Sequence, residues 1–341
     1  MPVRSMEAFP ATSPGLPEPR IVPPSVTVTA TARLHFGFLD PSGRGARPFG
    51  SFGLSLDRPR TRLTLKRAAE LKVSGPERER ATHYLKSIAA GCGVSDTHAL
   101  QIDESIPPHA GLGSGTQLAL AVGSAFAALE DLALSPQEIA ARLGRGGRSG
   151  IGIFTFEHGG VVLDSGPGDG DLPQMVARVP FPPDWRVILI LDPESRGLAG
   201  ESETEAFDSM HDFPASEADE LHRRITQSAL PALAAGDFAT FSRQVGHLQA
   251  YMGAYFAPLQ GGPYVSAGVN DVLAWLASQG VTGLGQSSWG PTGFAFVASA
   301  EEGEVLLARL RARANSGHLH FALAQGRNIG AVIEKNPQEI R

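Results

Sequence analysis

The residues best suited to chemistry lie in a glycine-rich stretch, residues 106–130, which reads IPPHAGLGSGTQLALAVGSAFAALE. Three glycines alternate with leucine and serine directly before an apolar segment of helical length. Glycines leave backbone N–H groups uncovered, and the first amides of a helix lack intrahelical acceptors, so this turn is suited to bind an anion such as a phosphate. The candidate anion-binding residues of the turn are Gly111, Gly113, Ser114, Gly115, Thr116 and Gln117.

An ordinary tight turn that caps a helix is the competing interpretation of the same glycines. The order of a proline, three residues and Gly-Leu-Gly-Ser is more specific than scattered glycines. It is not a Walker loop, because no Gly-Lys-Ser/Thr follows. It is not a Rossmann fingerprint, because the third glycine and the downstream acidic residue are not in the required setting. The stretch therefore predicts a rigid phosphate-binding turn in front of a buried helix.

A second group of polar residues accompanies a predicted strand, residues 25–38, and the loop after it. Along the strand, β-branched residues alternate with others, so an arginine and a histidine two positions apart share one face. The following Gly/Pro-rich loop carries an acid and two arginines that are able to face a cleft. The alternative is an Asx turn with two solvated arginines. The candidate residues of this group are Arg33, His35, Asp40, Arg44 and Arg47.

A third group lies in a second glycine-rich segment, residues 144–152, where two arginines and a serine stand among five glycines. Arginine forks suit phosphates and carboxylates, although a solvated turn with spare charges is the alternative. Residues 151–156 and 160–164 then predict a β-hairpin. The candidates here are Arg145 and Ser149, with Asp164 after the hairpin as a weaker one.

The composition favours a globular protein that acts on small molecules. The chain has 341 residues, the length of about two ordinary domains, and 42% of them are hydrophobic. A net charge of −6 argues against a general nucleic-acid or anionic-membrane surface. The single cysteine, Cys92, excludes an intrachain disulfide framework and a cysteine metal cluster. His318 and His320 share a face of a late predicted strand, and without a third ligand we expect them to be structural or solvated.

The pattern of apolar residues predicts two domains. Residues 1–24 are rich in proline and are expected to form a flexible tail. Residues 25–184 form an N-terminal domain that carries the phosphate-binding turn, and residues 185–341 form a C-terminal domain that opens with an apolar strand. The acidic segment 200–214 is a predicted mobile flap. No window approaches the roughly 18 apolar residues of a membrane span, and no secretory signal is recognisable, so we expect a cytoplasmic protein.

The motifs together resemble the β-ribofuranosylaminobenzene 5′-phosphate synthase family, a relative of the GHMP small-molecule kinases. The resemblance rests on ARLHFGFLD, IPPHAGLGSGTQLAL, GRGGRSGIG and the late QGRNIGA, and it covers about residues 26–332. It implies an α+β protein with a two-domain GHMP-kinase-like fold: an N-terminal ribosomal-protein-S5-domain-2-like domain and a C-terminal ferredoxin-like α/β sandwich. The wider superfamily carries a second serine where Gly115 stands here. In the kinases that serine helps to hold the magnesium of the nucleotide, so its loss weakens a kinase interpretation.

The resemblance implies a glycosyltransferase reaction with decarboxylation. In it, 5-phosphoribosyl 1-diphosphate condenses with 4-hydroxybenzoate or 4-aminobenzoate to a C-riboside 5′-phosphate, CO2 and diphosphate, in tetrahydromethanopterin biosynthesis. Such a reaction needs cationic groups and N–H donors around the departing diphosphate. We expect Mg²⁺ as the cofactor, two small-molecule substrates, no nucleic-acid or membrane partner, and a homodimer.

For this reaction we assign expected roles to the candidate residues. The expected catalytic residues are Arg33, Asp40 and Arg44, and the expected metal ligands are Asp40 and Asp164. His35, Arg145 and Ser149 are expected to bind substrate or phosphate together with the glycine-rich turn. In related folds a third loop covers the substrate, and it corresponds here to Ser287, Ser288 and Trp289. The tryptophan is expected to stack on the benzoate ring, or alternatively to belong to the core.

Two other functions stay open at this stage. A GHMP-type kinase would use ATP on a small alcohol, and calorimetry with phosphoribosyl diphosphate and with ATP separates the two enzymes. A non-catalytic homologue would be favoured if neither benzoate led to release of diphosphate.

Overall fold

Two β-sheets organise the part of the chain that the computed structural model describes, which is residues 24–44, 49–167, 172–197, 205–207, 209–313 and 317–336. Residues 1–23 of the predicted tail lie outside these ranges. Arg47 and part of the predicted flap also lie outside them. Within them, the first sheet has seven strands and the second has four.

The first sheet is built around strand β1 (Ser25–Asp40), whose alternating β-branched and apolar residues are buried along most of its length. β1 pairs antiparallel with β2 (Phe49–Arg67) on one side and with the late strand β11 (Val332–Asn336) on the other. The sheet continues beyond β2 through β4 (His98–Glu104), β3 (Lys72–Ser74), β5 (Val161–Asp164) and β6 (Met175–Val179). The predicted strand over residues 25–38 is therefore confirmed.

Helices pack against this sheet and against one another. The central one is α2 (Ser114–Leu129), which contacts β1 and β2 and is buried at every position from 117 to 127, as its apolar sequence predicts. α1 (Arg78–Cys92) and α3 (Pro136–Arg142) flank α2. α3 begins at a capping box, in which the Ser135 hydroxyl accepts from the Glu138 amide.

The predicted β-hairpin after residue 150 is wrong. Residues of its first arm form helix α4 (Ile151–His158), and only its second arm is a strand, β5. Nearly every residue of α4 is buried, so its sequence shows neither the helical nor the strand period. The helix ends at His158, and the φ angles of Gly159 and Gly160, 65° and 82°, permit the turn into β5.

The second sheet is antiparallel, and the helices of the C-terminal half pack against both sheets. Its strand order is β10 (His320–Ala324), β7 (Arg186–Leu191), β9 (Gly293–Val297) and β8 (Leu284–Gln286). The helices are α5 (Ala215–Arg224), α6 (Leu230–Ala235), α7 (Phe238–Gln260), α8 (Ala267–Ser278) and α9 (Ala300–Arg311). A π-helical turn (Ile225–Ala229) joins α5 to α6 in front of Pro231, which has no amide to donate.

One aromatic core joins the two sheets. Phe36 of β1 lies 5.5 Å from the ring centroids of both Phe294 and Phe296 of β9, and Phe52 of β2 lies 6.4 Å from that of Phe241 on α7. The predicted boundary at residue 184 falls between β6 and β7, which belong to different sheets. β11, however, returns from the predicted C-terminal domain to the first sheet.

Two further features of the described residues concern a membrane span and a metal site. No helix among them combines the length and apolar composition that a membrane crossing requires. His320 belongs to β10, but His318 precedes it and places its Nε2 atom 3.9 Å from Asp192 Oδ1. The described ranges contain no group of three or more side chains that could hold a metal ion.

Candidate active site

The glycine-rich turn ends at α2 without a side-chain cap. Gly113 is the N-cap residue, and its φ of 81° lies in the left-handed region that favours glycine. In the described structure no side chain, including those of Ser114 and Thr116, accepts a capping hydrogen bond there. The first amides of α2 are therefore suited to an anionic partner.

Arg33 and the loop after β8 contact this turn from one side. The Gly111 carbonyl oxygen accepts from Arg33 Nη1 at 2.5 Å and from Ser287 Oγ at 2.8 Å. A Cβ added at Gly111 would lie 2.2 Å from the Ser287 carbonyl oxygen, so the two loops touch at their backbones. Ser287 Oγ also accepts from the His35 amide at 3.1 Å. Ser287 thus joins β1 to the glycine-rich turn and does not itself line the cleft described below.

Two arginines lie close together on the other side of the turn. Arg145 donates through Nη2 to the Tyr84 hydroxyl, and its guanidinium lies 5.4 Å from the centroid of that ring. A Cβ at Gly115 would lie 2.5 Å from Arg80 Nη2 and 3.7 Å from Arg145 Nη1. Glycine at 115 therefore leaves space for both guanidinium groups, and a serine there would displace Arg80. Neighbouring cations at a helix N-terminus are typical of a site for an anion.

An open cleft of about 440 Å³ lies between β1, the start of α2 and residues 144–152. Its charged lining residues are Arg33, Arg145 and Arg148, and its described lining includes no carboxylate. The predicted site residues that line it are Arg33, His35, Thr116, Arg145 and Ser149. The arrangement is suited to bind a phosphorylated substrate.

Asp164 supports the 144–152 loop from outside the cleft lining. Its carboxylate accepts from the Ser51 amide at 3.0 Å, the Ser51 hydroxyl at 2.5 Å, the Gly150 amide at 2.7 Å and the Gly166 amide at 2.8 Å. Burial raises the pKa of the Asp164 carboxyl, and these hydrogen bonds oppose that rise. Both oxygens are engaged within the protein, so this geometry gives no support to Asp164 as a metal ligand.

Like Asp164, Gln117 and Ser149 form hydrogen bonds within the protein. Gln117 is fully buried and donates through Nε2 to the Gly152 carbonyl at 2.8 Å, which ties α2 to the loop. Ser149 Oγ accepts from the Ile151 amide at 3.2 Å and lies 2.6 Å from the Ser51 hydroxyl. Ser149 still borders the cleft, whereas Gln117 does not.

Asp40 and Arg44, two of the three expected catalytic residues, do not line the cleft. Asp40 is buried, and its Oδ1 accepts from the Ser42 amide at 3.2 Å and the Ser42 hydroxyl at 2.6 Å, which is the Asx turn that the sequence left as the alternative. Arg44 Nη1 donates to Asp212 Oδ1 at 2.7 Å in an exposed ion pair. The structure therefore does not bring these residues together with Arg33.

His35 lies at the junction of the cleft and a second pocket. Its imidazole is buried, and neither ring nitrogen has a hydrogen-bond partner in the described structure. Burial, and secondly the positive charge of Arg33, lowers the pKa of His35 to about 3. The ring is therefore neutral at physiological pH, and it offers a substrate one donor and one acceptor but no positive charge.

The second pocket is aromatic and shares His35, Phe38 and Ser288 with the cleft. The indole of Trp289 stacks on Phe207, with centroids 4.7 Å apart and planes 10° apart. Phe256 meets the same indole edge-on at 4.8 Å. One face of Trp289 is thus already covered, which restricts the expected stacking of a benzoate ring on it.

Several residues beside the glycine-rich turn and in the aromatic pocket are absent from the site that the sequence predicts. Arg80 lies beside Gly115 and Tyr84 accepts from Arg145, but neither belongs to a motif and neither lines the cleft or the aromatic pocket. Their separation of four residues on one helix face was the signal that could have paired them. Phe207 lies in the segment predicted as a flap, and Met252 and Phe256 of α7 resemble ordinary core residues.

Known families match both halves of the chain. Residues 78–160 match the family described as GHMP kinases N terminal domain, and residues 229–316 match GHMP kinases C terminal. A beta-ribofuranosylphenol 5′-phosphate synthase from Archaeoglobus fulgidus is 34% identical over 233 residues, which cover 64% of this chain and 73% of that protein. The chain belongs to the beta-ribofuranosylphenol 5′-phosphate synthase family. A second member, from Methanothermobacter thermautotrophicus, is 26% identical over 331 residues, covering 90% of this chain and 98% of that one. The family assignment makes the protein an enzyme of the pentosyltransferase type.

Solved structures confirm the predicted α+β, GHMP-kinase-like fold of this family member. Homoserine kinase from Cytophaga hutchinsonii superimposes with a TM-score of 0.63 at 13% identity, over 92% of this chain and 99% of that one. Mevalonate diphosphate decarboxylase from Enterococcus faecalis gives a TM-score of 0.64 at 15% identity, also over 92% and 99%. At these identities the likeness concerns the fold alone.

The described residues of this synthase-family site do not fit a magnesium ion held by the protein. The described cleft lining contains no carboxylate, the Asp164 oxygens are engaged, and Asp40 forms a turn. A magnesium ion at this site would depend on substrate phosphate oxygens and water.

Proposed function

We propose that this enzyme transfers a phosphoribosyl group from 5-phosphoribosyl 1-diphosphate to 4-hydroxybenzoate or 4-aminobenzoate, with loss of diphosphate and CO2. The observation that carries the proposal is the junction of an arginine-lined cleft with an aromatic pocket through His35, Phe38 and Ser288. The two cavities match the two substrates: the arginine-lined cleft suits the substrate that is rich in phosphate, and the aromatic pocket suits the substrate that is an aromatic ring. The names of the relatives specify a ribofuranosylphenol, which favours 4-hydroxybenzoate.

The cleft supplies what the phosphorylated substrate needs. Arg33, Arg145 and Arg148 bind phosphate oxygens together with the first amides of α2. As the bond between the ribose C1 and the diphosphate breaks, the leaving oxygen takes the electron pair and gains negative charge. Donors that are already fixed around that oxygen stabilise the transition state.

The aromatic pocket positions the acceptor ring so that the carbon bearing the carboxylate faces the cleft. That carbon forms the new bond to the ribose C1, after which the carboxylate leaves as CO2 and its bonding electrons restore the aromatic ring. The free space in the pocket is about 30 Å³, which is less than a ring requires. Entry of the ring therefore requires a side chain to turn aside, and Met252, with a flexible side chain, lines the pocket. The same proposal includes Mg²⁺ bound by the diphosphate oxygens, a homodimer and a place in tetrahydromethanopterin biosynthesis.

The test is mass-spectrometric detection of the decarboxylated riboside 5′-phosphate after incubation of the enzyme with phosphoribosyl diphosphate and each benzoate. Arg145→Gln should lower its formation by at least about 100-fold, the effect of one lost donor at a developing charge. Arg142→Gln is the matched control, since Arg142 lies on α3 and donates to the Gly91 carbonyl outside the cleft. Calorimetry that shows binding of ATP, with no binding of phosphoribosyl diphosphate, would replace this proposal with the kinase.

A further inference from the structure

Two buried side chains of the aromatic pocket lack hydrogen-bond partners in the described structure. They are Trp289, through its indole nitrogen, and His35, through both ring nitrogens. Trp289 is 6% exposed and His35 is 3% exposed, so bulk solvent has little access to either ring. Unsatisfied buried donors are rare in folded proteins because they cost stability. Their presence on one pocket indicates an occupant that supplies polar atoms.

Two other polar side chains of the pocket, both glutamines, are engaged in contacts of the fold. Gln249 donates through Nε2 to the Phe36 carbonyl, and its Oε1 accepts from the Gln286 amide at 2.7 Å. Gln286 accepts from the Val265 amide at 2.6 Å and donates to the Ser288 carbonyl at 2.9 Å. These hydrogen bonds hold the two glutamines in place within the fold. Trp289 and His35 differ from them because their ring nitrogens have no partner among the described residues.

The two residues face different parts of a bound benzoate. His35 borders both cavities, whereas Trp289 borders only the aromatic pocket. In the proposed reaction the carboxylate end of the ring faces the cleft, so the para substituent points toward the Trp289 side. Phe207 covers one face of the indole, and the indole N–H is the polar group that Trp289 offers to a ligand.

We propose that the indole N–H of Trp289 donates a hydrogen bond to the para-hydroxyl oxygen and so selects 4-hydroxybenzoate over 4-aminobenzoate. This assignment rests on the proposed function and adds a specificity-determining residue to it. An indole nitrogen only donates. A phenol oxygen has lone pairs that accept, whereas the lone pair of an aromatic amine is delocalised into the ring. Two N–H donors would therefore face each other if the amine were bound.

The first test is the indole N–H spectrum of the ¹⁵N-labelled enzyme. The chain has three tryptophans, so Trp289→Phe and Trp275→Phe assign all the indole signals. Addition of 4-hydroxybenzoate should move the Trp289 proton downfield, as a new hydrogen bond to oxygen does, and 4-aminobenzoate should move it much less. A Trp289 signal that shifts equally with both ligands would overturn the assignment. Because the titration uses the native enzyme, this test does not depend on whether a variant still binds a benzoate.

The second test is calorimetric, with each benzoate added in the absence of phosphoribosyl diphosphate. The native enzyme should bind 4-hydroxybenzoate roughly fivefold more tightly than 4-aminobenzoate, the effect of one neutral hydrogen bond. In Trp289→Phe the two dissociation constants should become equal through a loss for 4-hydroxybenzoate alone. Trp275→Phe, on α8 beneath Arg309, is the control and should keep the native ratio.

The outcomes separate this inference from the proposed function. Binding of both benzoates with equal affinity by the native enzyme, or an unchanged ratio in Trp289→Phe, removes Trp289 as the selecting residue and leaves the proposed reaction in place. If neither benzoate binds to the native enzyme, the aromatic pocket is not a benzoate site and both proposals fail.

Discussion

His35→Gln removes a buried titrating group and keeps a neutral polar side chain at the junction of the two cavities. The native ring has an ordinary pKa of 6.5 in the unfolded chain and a pKa lowered to about 3 in the folded protein. Between these values the unfolded chain binds a proton that the folded protein does not bind. The free energy of unfolding therefore falls as the pH falls below 6.5, and above that pH His35 contributes no further change.

The size of the effect follows from these two pKa values. Each pH unit inside the window changes the free energy of unfolding by about 1.4 kcal/mol for one proton. Between pH 7 and pH 5 the native protein should lose about 2 kcal/mol that His35→Gln does not lose. Asp164 has a raised pKa and acts with the opposite sign above its ordinary 3.8, but it is present in both proteins and cancels in the difference.

Urea unfolding of both proteins at several pH values from 5 to 7.5 measures this difference. Circular dichroism and tryptophan fluorescence should give coincident transitions, since the shared core joins the two sheets. His83→Gln, an exposed change on α1, is the matched control and should follow the native profile. A difference between the native protein and His35→Gln that stays constant from pH 7 to pH 5 would refute the conclusion that burial keeps this imidazole neutral.

Three further variants test other parts of the site. Arg33→Ala should lower kcat/KM by at least about 100-fold with an unchanged circular dichroism spectrum, because it removes a donor beside the leaving group, and near-normal kcat/KM would exclude Arg33 from the site. Gly115→Ser should weaken calorimetric binding of phosphoribosyl diphosphate by displacing Arg80 and should confer no use of ATP, so ATP-dependent phosphorylation would show that the turn is a kinase loop. Asp164→Asn should lower the free energy of unfolding by about 1–3 kcal/mol, because an amide group replaces an oxygen that accepts from backbone amides, and an unchanged urea midpoint would contradict this.

The sequence was most informative where a local rule determines the structure. Alternation along β1 placed Arg33 and His35 on one face, and both line the cleft. The glycine pattern located the turn before α2, because positive φ angles and close backbone contact at Gly111 and Gly113 restrict those positions to glycine.

The sequence was least informative where burial or distant contacts decide. α4 has no amphipathic period because nearly all its residues are buried, so it was mistaken for a strand. Arg44 pairs with Asp212, which lies 168 residues away, and no local pattern indicates that contact. The neutral state of His35 likewise depends on burial among residues from both halves of the chain.

The pairing of β1 with β11 has a consequence for biosynthesis. The first residues of β1 gain their second neighbouring strand only after β11 has been synthesised. The contact between Ser25 and Asn336 joins residues that are 311 positions apart. While the ribosome is still producing the intervening chain, that side of the nascent sheet offers unpaired amides and carbonyls, which are a template for association with other polypeptides. Chains that stop before β11 should consequently precipitate or recruit chaperones even when every residue of the cleft has been made.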